Sequence, residues 1–319
     1  RFALLDEDPV SVHDLETPGL VRANKWRAYV SITHGCDNFC TYCIVPYVRG
    51  RFQSRPAESI LSDVRALVRD GALDVTLLGQ NVNSYGKDLP EGPSFSELLA
   101  QVAEVEGLVR LRFVTSHPKD FSKDIVREMV SHPVICPSVN LPLQSGSDRI
   151  LARMNRGYTL AEYAEKIEWI REAFPEAGIT SDLIVGFPGE TEQDFEASLS
   201  ALERFRFDLV HTAAYSRRPP SKAADMEDQV EPRIKSLRLN AVNTLQRQIA
   251  LAINRGLEGK TVEVLFEGPA EKGEGLISGR TVTDKVVLVR GTAAEYGKIR
   301  KVRIEKGDAW SLFGALLED

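Results

Sequence analysis

The pattern of apolar positions alternates between two periodicities from about residue 26 to residue 216. Short β-rich runs, which predict strands, separate segments whose apolar residues recur at helical spacing. The predicted strands are 27–33, 74–80, 110–116, 138–145, 179–186 and 207–216, and the predicted helices are 56–71, 94–107, 123–132, 159–174 and 191–206. This alternation predicts a parallel sheet with right-handed crossovers. Six units predict a partial (β/α)6 barrel with its site at the carboxyl ends of the strands.

The pattern changes after residue 216. Three prolines interrupt residues 216–232, and residues 231–259 then read as one long helix. From residue 260, short β-rich runs separated by glycines predict a small, antiparallel, all-β barrel. We therefore predict a first domain at residues 23–252 and a second at residues 253–319. Residues 1–22 fit neither unit and are interpreted as a linker or the remnant of a missing N-terminal domain.

Composition and charge narrow the class of protein. Hydrophobic residues make up 43% of the 319 residues and charged residues 27%, as in globular chains with a real core. No segment reaches the roughly 18 consecutive apolar residues of a membrane span, and the first residues lack the order of a secretory signal. We expect a cytoplasmic protein with no membrane partner. A net charge of −6 argues against nucleic-acid binding through the overall field, so any RNA contact requires a local basic patch.

Three of the four cysteines follow the first predicted strand at the spacing C-x3-C-x2-C. Cys36, Cys40 and Cys43 do not complete a tetrahedral zinc site, and no histidine follows at zinc-finger spacing. A cubane iron–sulfur cluster accommodates three cysteines, because three of its irons bind thiolates and the fourth stays open for another ligand. A zinc site with a distant fourth ligand and a set of buried structural thiols remain alternatives. Cys136 has no neighbouring ligand and is predicted to be a core thiol.

The cysteine motif, with an aromatic residue before its last cysteine, resembles the signature of the radical S-adenosylmethionine (SAM) superfamily. The wider chain resembles the MiaB-type methylthiotransferases of that superfamily, on segments that occur in the same order. These segments are GCDNFCTYCIVPYVRGRFQSRP, LLGQNVNSYG, RLRFVTSHP, LPLQSGSDRILARMNRGYT and SDLIVGFPGETEQDF, followed by a terminal barrel that resembles a TRAM domain. GQNVNSYG resembles the tRNA-modifying branch more than the branch that modifies a ribosomal protein.

The resemblance implies that Cys36, Cys40 and Cys43 hold a 4Fe-4S cluster whose fourth iron binds SAM. Reduction of this cluster would split SAM into methionine and a 5′-deoxyadenosyl radical. Tyr42 would pack near the adenine, and the motifs at the strand ends would contact the rest of SAM. The implied cofactor-binding residues are Tyr42, Gly79, Gln80, Asn81, Gln144, Ser145, Gly186 and Glu190.

Several of these motifs also have an ordinary structural interpretation. The Gly-Gln-Asn turn fits a loop or helix cap, Ser147 fits an N-cap, and the glycines after the fifth strand fit a strand-to-helix turn. His117, which follows Ser116 at the third strand's end, is more typical of a hydrogen-bonded structural residue than of a proton carrier, which is the alternative. Arg49 and Arg55 flank the cysteine loop. We interpret these two arginines as partners of the SAM carboxylate, of an RNA phosphate or of solvent.

A basic stripe in the terminal barrel, residues 298–306, is the local patch that RNA binding would need. A solvated strand face is the alternative. Further positive charge lies between the domains, in SRRPPSKAA, where the family usually has a sequence closer to SPRPGTPAA. The predicted RNA-binding residues are Arg217, Arg218, Arg300, Lys301 and Arg303.

The resemblance implies a tRNA methylthiotransferase that modifies an isopentenylated adenosine beside the anticodon. Its partners would be the tRNA anticodon loop, SAM and an electron donor such as a flavodoxin-type protein. Members of the family carry a second 4Fe-4S cluster on an N-terminal domain. Because this sequence has no second cysteine triplet, we expect that cluster on a missing N-terminal domain.

Two alternatives remain open. One is a methylthiotransferase that acts on another tRNA adenosine or on a ribosomal protein side chain. The other is a non-catalytic RNA-binding protein with a structural metal centre.

Overall fold

The computed structural model describes residues 24–317, so the predicted linker at residues 1–22 lies outside the described residues. The first part contains β1 (Arg27–Ser31), β2 (Thr33–His34), α1 (Val45–Val48), β3 (Gln53–Ser54), α2 (Ala57–Arg69), β4 (Asp74–Leu78), α3 (Phe95–Ala103), β5 (Arg110–Phe113), α4 (Lys123–Ser131), β6 (Ile135–Asn140), α5 (Asp148–Arg153), α6 (Leu160–Ala173), β7 (Gly178–Val185), α7 (Glu192–Phe205) and β8 (Leu209–Ala214). The long helix α8 (Pro232–Arg255) packs on the core of this first part. The second part contains β9 (Thr261–Pro269), β10 (Leu276–Thr281), β11 (Val286–Arg290), β12 (Ile299–Gly307) and β13 (Leu312–Leu316).

The predicted parallel sheet is confirmed, with the strand order β1-β4-β5-β6-β7-β8. All five strand pairs in this order are parallel. Helices α2, α3, α4, α6 and α7 match the five predicted helices to within a few residues. The two edge strands, β1 and β8, do not pair with each other, so the barrel stays open as predicted.

One predicted strand is misplaced. The fourth strand runs over Ile135–Asn140 rather than 138–145. Leu141 and Leu143 are buried outside the strand, so the apolar run continues beyond the paired residues. Beyond Asn140 the chain makes one isolated bridge, from Gln144 to Leu183. The apolar run therefore predicted the buried residues correctly, but it did not predict where the strand begins and ends.

The terminal barrel closes in the order β10-β11-β13-β12-β9 around a core of its own. Its pairs are antiparallel except β11 with β13, which is parallel, so the prediction of an all-antiparallel barrel is wrong at one pair. The predicted domain boundary between residues 252 and 253 falls in the last turn of α8. Within residues 24–317, no helix is long and apolar enough to cross a bilayer.

The turn between β10 and β11 packs against the amino ends of the sheet strands. Arg110 donates to the carbonyl of Arg280 at 2.6 Å, and Arg112 donates to the carbonyls of Thr281 and Val282, both at 2.9 Å. The barrel therefore covers the end of the sheet opposite the carboxyl ends, where the cysteine loop lies.

Candidate active site

The cysteine loop follows β2 and depends on a glycine at its start. Gly35 has φ +67°, and a Cβ there would lie 2.1 Å from the carbonyl oxygen of Arg51. The loop is held by hydrogen bonds from Cys36 N to Gly50 O at 3.3 Å and from Cys43 N to Cys40 O at 2.9 Å. Only glycine combines this backbone conformation with such a close approach.

The three cysteines of this loop are free thiols and influence one another. Burial, and after it the proximity of the other two thiols, raises the pKa of Cys36. Burial also raises the pKa of Cys43. All three thiols line a cavity of about 530 Å³, which the ends of β4, β5 and β6 also line. This volume is typical of a small-molecule site.

The donor set of the cavity is three thiols. Cys36, Cys40 and Cys43 line it, and Cys136, the fourth free cysteine, does not. A tetrahedral zinc site takes four ligands, whereas a 4Fe-4S cluster held by three cysteines leaves one iron open for another ligand. Within residues 24–317, no group of three or more His, Cys, Asp or Glu is arranged to hold a single metal ion. The three thiols therefore fit a cluster with an open iron, and a zinc site with a distant fourth ligand stays an alternative.

Three of the predicted cofactor-binding residues line this cavity, namely Tyr42, Gln80 and Gln144. The side-chain oxygens of Gln80 and Gln144 are buried without a hydrogen-bond partner. Tyr42 accepts a hydrogen bond from Arg156 through its hydroxyl, at 3.2 Å. A polar ligand in the cavity would satisfy the two amide oxygens, because buried acceptors are rarely left unpaired.

The structure places Asn81 and Ser145 outside the wall of this cavity. The Asn81 amide donates to Ser84 at 2.8 Å and to Asp120 at 2.7 Å. Ser145 is fully buried, and its hydroxyl accepts from the backbone N–H of Ser147 at 3.2 Å. The Ser147 hydroxyl caps α5, so the N-cap interpretation of Ser147 is confirmed. The role of Asn81 and Ser145 in cofactor binding stays a prediction.

Three further predicted residues shape the turns beside the cavity. A Cβ on Gly79 would lie 2.0 Å from the Thr33 hydroxyl, so β4 and β2 approach closely there. The Glu190 carboxylate accepts from Gly186 N at 2.6 Å and from Arg238 Nη1 at 2.7 Å. Burial raises the pKa of Glu190. These contacts fix the turn after β7, and a direct contact of Gly79, Gly186 or Glu190 with a cofactor stays a prediction.

Arg156 is a residue of this site that no motif in the sequence indicated. Its side chain is buried and lines the cavity. Nη1 donates to Sγ of Cys40 at 3.3 Å, Nη2 to Pro142 O at 3.3 Å and Nε to the Tyr158 hydroxyl at 3.2 Å. The signal in the sequence is its position between an asparagine and a glycine, the residue types that most readily adopt positive φ, as Asn155 and Gly157 both do here.

His117 also lines the cavity, and one of its ring nitrogens is unpaired. Nδ1 accepts from Lys119 N at 3.2 Å, so the ring proton lies on Nε2, which has no partner. Burial, and after it the charge of Arg156, lowers the pKa of His117 to about 2. Ser116 beside it has an unpaired buried hydroxyl. A purely structural role does not account for the N–H at Nε2 of His117, which is a neutral donor without an acceptor.

Arg49 and Arg55 differ in their surroundings. Arg55 is buried, and it donates to Ser31 O at 2.8 Å and to Asp63 at 2.7 Å. Its interpretation as a partner of SAM or RNA is therefore wrong, because its donors are already used inside the protein. Arg49 is exposed.

The predicted RNA-binding residues fall into two groups. Lys301 and Arg303 are exposed and share one face of β12, since side chains alternate along a strand. Arg300 points the other way, with Nε 3.5 Å from Glu295. Arg218 is exposed and near enough to Cys43 to affect the pKa of that thiol, whereas Arg217 donates to Ala224 O at 2.9 Å. The basic residues of the stripe therefore lie on two different faces of β12. RNA binding by any of the five predicted residues stays a prediction.

Comparisons with known proteins agree with this architecture. The radical SAM superfamily matches residues 30–202, and the TRAM domain matches residues 255–317. The tRNA-2-methylthio-N(6)-dimethylallyladenosine synthase of Carboxydothermus hydrogenoformans is 48% identical over 291 residues, which are 91% of this chain and 66% of the relative. The protein of that name from Aquifex aeolicus is 44% identical over 317 residues, 99% of this chain and 71% of the relative. The chain spans about two thirds of the length of such relatives.

Solved structures show the same fold at low identity. Coproporphyrinogen III oxidase from Escherichia coli has a TM-score of 0.51 and 13% identity, covering 91% of this chain and 71% of that one. The methyltransferase TsrM from Kitasatospora setae has a TM-score of 0.53 and 17% identity, covering 63% and 38%. The open barrel, the cysteine loop and the terminal barrel, together with these matches, show that the chain belongs to the radical SAM superfamily and, within it, to the family of tRNA-2-methylthio-N(6)-dimethylallyladenosine synthases.

Proposed function

We propose that this chain binds a 4Fe-4S cluster through Cys36, Cys40 and Cys43 and cleaves SAM reductively. As part of the whole protein, it would insert a methylthio group into an adenosine of tRNA. The observation that carries the proposal is the placement of three free thiols at a cavity with four buried polar atoms that have neither a hydrogen-bond nor an ion-pair partner among residues 24–317. Those atoms are Gln80 Oε1, Ser116 Oγ, His117 Nε2 and Gln144 Oε1.

Cys36, Cys40 and Cys43 would hold the 4Fe-4S cluster, which would supply the electron that reductive cleavage of SAM to methionine and a 5′-deoxyadenosyl radical requires. The chain's own residues bind and orient the zwitterionic end of SAM. The amide oxygens of Gln80 and Gln144 accept hydrogen bonds from an ammonium group, while Ser116 and His117 donate to a carboxylate.

The tRNA substrate is proposed from the relatives, whose name specifies a dimethylallylated adenosine of tRNA. An unpaired loop base suits this cavity, because moving it out of the stack costs little energy. Lys301 and Arg303 on β12, with Arg218 near the cysteine loop, would contact the RNA phosphates. We propose the anticodon loop as the region bound, a flavodoxin-type protein as electron donor and the cytoplasm as the location.

The sulfur of the methylthio group needs a source outside the cysteine loop. We propose that a second 4Fe-4S cluster delivers it, on a part of the whole protein that this chain does not include. This fits the fact that the chain spans about two thirds of the length of its relatives. The chain alone is then expected to cleave SAM without thiomethylating tRNA.

The test is anaerobic reconstitution with iron and sulfide. We expect about four irons per chain and an electron paramagnetic resonance (EPR) signal, after reduction, that changes when SAM is added. 5′-Deoxyadenosine should then form. Cys36→Ala should lose both the cluster and this product, whereas Cys136→Ala, a buried thiol that does not line the cavity, should keep both. About eight irons per chain, or a cluster that persists in Cys36→Ala, would contradict the proposal.

Two experiments separate the alternatives. Nucleoside analysis of tRNA from a strain that lacks the gene should show loss of the 2-methylthio group from the isopentenylated adenosine. Loss of the methylthio group at another adenosine or on a ribosomal protein would favour the alternative methylthiotransferase, which acts on that substrate. A chain that binds RNA but forms no SAM-responsive cluster would be the non-catalytic protein.

A further inference from the structure

The three cysteines of the loop have different hydrogen-bond surroundings. The Cys36 sulfur is near the backbone and side-chain amides of Asn38, and the Cys43 sulfur is near the backbone amide of Val45. Cys40 instead receives a hydrogen bond from the guanidinium of Arg156, at 3.3 Å. Within residues 24–317, Arg156 is the one cation that donates a hydrogen bond to a cysteine sulfur.

The position of Arg156 is fixed by several partners. Nη2 donates to Pro142 O, and Nε donates to the Tyr158 hydroxyl, which itself donates to Leu143 O at 2.7 Å. Asn155 and Gly157, on either side of Arg156, both have positive φ, as expected for a tight turn. The side chain therefore cannot turn away from Cys40 without breaking several buried hydrogen bonds.

The charge of Arg156 lacks a hydrogen-bonded counter-ion in the part of the chain that the structure describes. Its acceptors there are a thiol, two tyrosine hydroxyls and a backbone carbonyl. Asp182 lies near enough to be affected by the charge but is not hydrogen-bonded to it. A buried cation without a paired anion is costly. An iron–sulfur cluster with three thiolate ligands carries net negative charge and would supply the missing anion.

We propose that Arg156 is a positioning residue that donates a charged hydrogen bond to the Cys40 sulfur of the cluster and raises the cluster's reduction potential. Reduction adds one negative charge, so a fixed cation beside a ligating sulfur stabilises the reduced state more than the oxidised state. The inference rests on the cluster assignment in the proposed function. It adds a residue that acts through Cys40 rather than on SAM.

The test is an EPR-monitored redox titration of the reconstituted chain without SAM. Arg156→Met removes the charge and the donors, so the midpoint potential should shift to more negative values. Arg156→Lys keeps the charge and should give a smaller shift. Arg153→Met is the matched control, because Arg153 lies three residues earlier and pairs with Asp228 at 2.7 Å, and it should leave the potential unchanged.

Arg156→Gln provides a second comparison if Arg156→Met takes up too little iron. Gln and Lys both offer an N–H donor, so a higher potential in Arg156→Lys isolates the effect of the charge. Equal potentials in wild type, Arg156→Met and Arg156→Gln would overturn the inference. Loss of the cluster from all Arg156 variants, Lys included, would also overturn it and assign Arg156 a purely structural role. Absence of a cluster from the wild type would instead refute the proposed function.

Discussion

Arg112 and Asp74 form an ion pair that is closed to solvent, with Nε 2.9 Å from Oδ2. The other two nitrogens of the guanidinium donate to backbone carbonyls of the turn between β10 and β11. One side chain on β5 therefore joins β4, β5 and the terminal barrel. The barrel is attached to the sheet by buried, directional contacts and not only by the long helix α8.

Replacing Arg112 with methionine should destabilise the protein. The change leaves the Asp74 carboxylate buried without its cation, and breaking such a pair typically costs about 3–5 kcal/mol. The measurement is the urea midpoint of the cluster-free chain. Arg127→Met is the control, because Arg127 pairs with Asp124 on the surface and exposed pairs contribute little. Similar urea midpoints for Arg112→Met and Arg127→Met would show that the Arg112–Asp74 pair does not stabilise the contact between the sheet and the terminal barrel.

The loop glycine makes a second prediction, for cluster uptake. Gly35→Ala places a Cβ 2.1 Å from Arg51 O at a backbone φ of +67°, so the cysteine loop must shift. Gly50→Ala is a matched control, since Gly50 has φ +73° and a Cβ added there would meet no atom within 4 Å. The control suffers the conformational strain without the collision. We expect Gly35→Ala to lose most of its iron after reconstitution and Gly50→Ala to keep most of it. Equal iron contents in the two variants would show that the collision with Arg51 O does not impair cluster uptake.

His117 predicts a pH dependence of stability. Burial, together with the charge of Arg156, lowers its folded pKa to about 2, against about 6.5 for an unfolded histidine. Between these values the unfolded chain binds an extra proton, so stability is complete above about pH 6.5 and falls as the pH decreases toward about 2. Urea unfolding of the cluster-free chain at about pH 7.5 and about pH 5 should show a loss about 2 kcal/mol smaller in His117→Gln than in wild type. Equal losses would mean that His117 does not remain neutral.

The sequence predicted the parts of the fold that depend on local pattern. Parallel strands buried on both faces appear as apolar runs, so all six sheet strands were recognised. The fourth was misplaced because Leu141 and Leu143 are buried beyond the regular ladder, where Leu141 N still donates to Thr180 O but Leu143 N donates to the Ser181 side chain. The cysteine loop was recognisable because its three thiols are close in sequence.

The rest of the site depends on contacts between distant residues. Arg156 lies 116 positions from Cys40, so no local pattern connects them. Gln80 and Asn81 are adjacent amides at one strand end, yet Gln80 lines the cavity with the three cysteines and Asn81 binds Ser84 and Asp120. Both residues carry an amide group, so the sequence does not distinguish them. They differ in the direction of their side chains, which only the structure shows.

The two faces of β12 make the last prediction, which rests on the proposed tRNA substrate. Lys301 and Arg303 are exposed on one face, whereas Arg300 is paired with Glu295 on the other. Each phosphate contact contributes roughly 0.7 to 0.9 to the slope of log affinity against log salt. Fluorescence anisotropy with an anticodon stem-loop should therefore show weaker binding and a slope shallower by roughly 1.5 for Lys301→Ala combined with Arg303→Ala. Arg300→Ala, the control, should change the slope little. A double variant that keeps the wild-type slope would place the RNA on another surface, and Arg218→Ala would then test the rim of the cysteine loop.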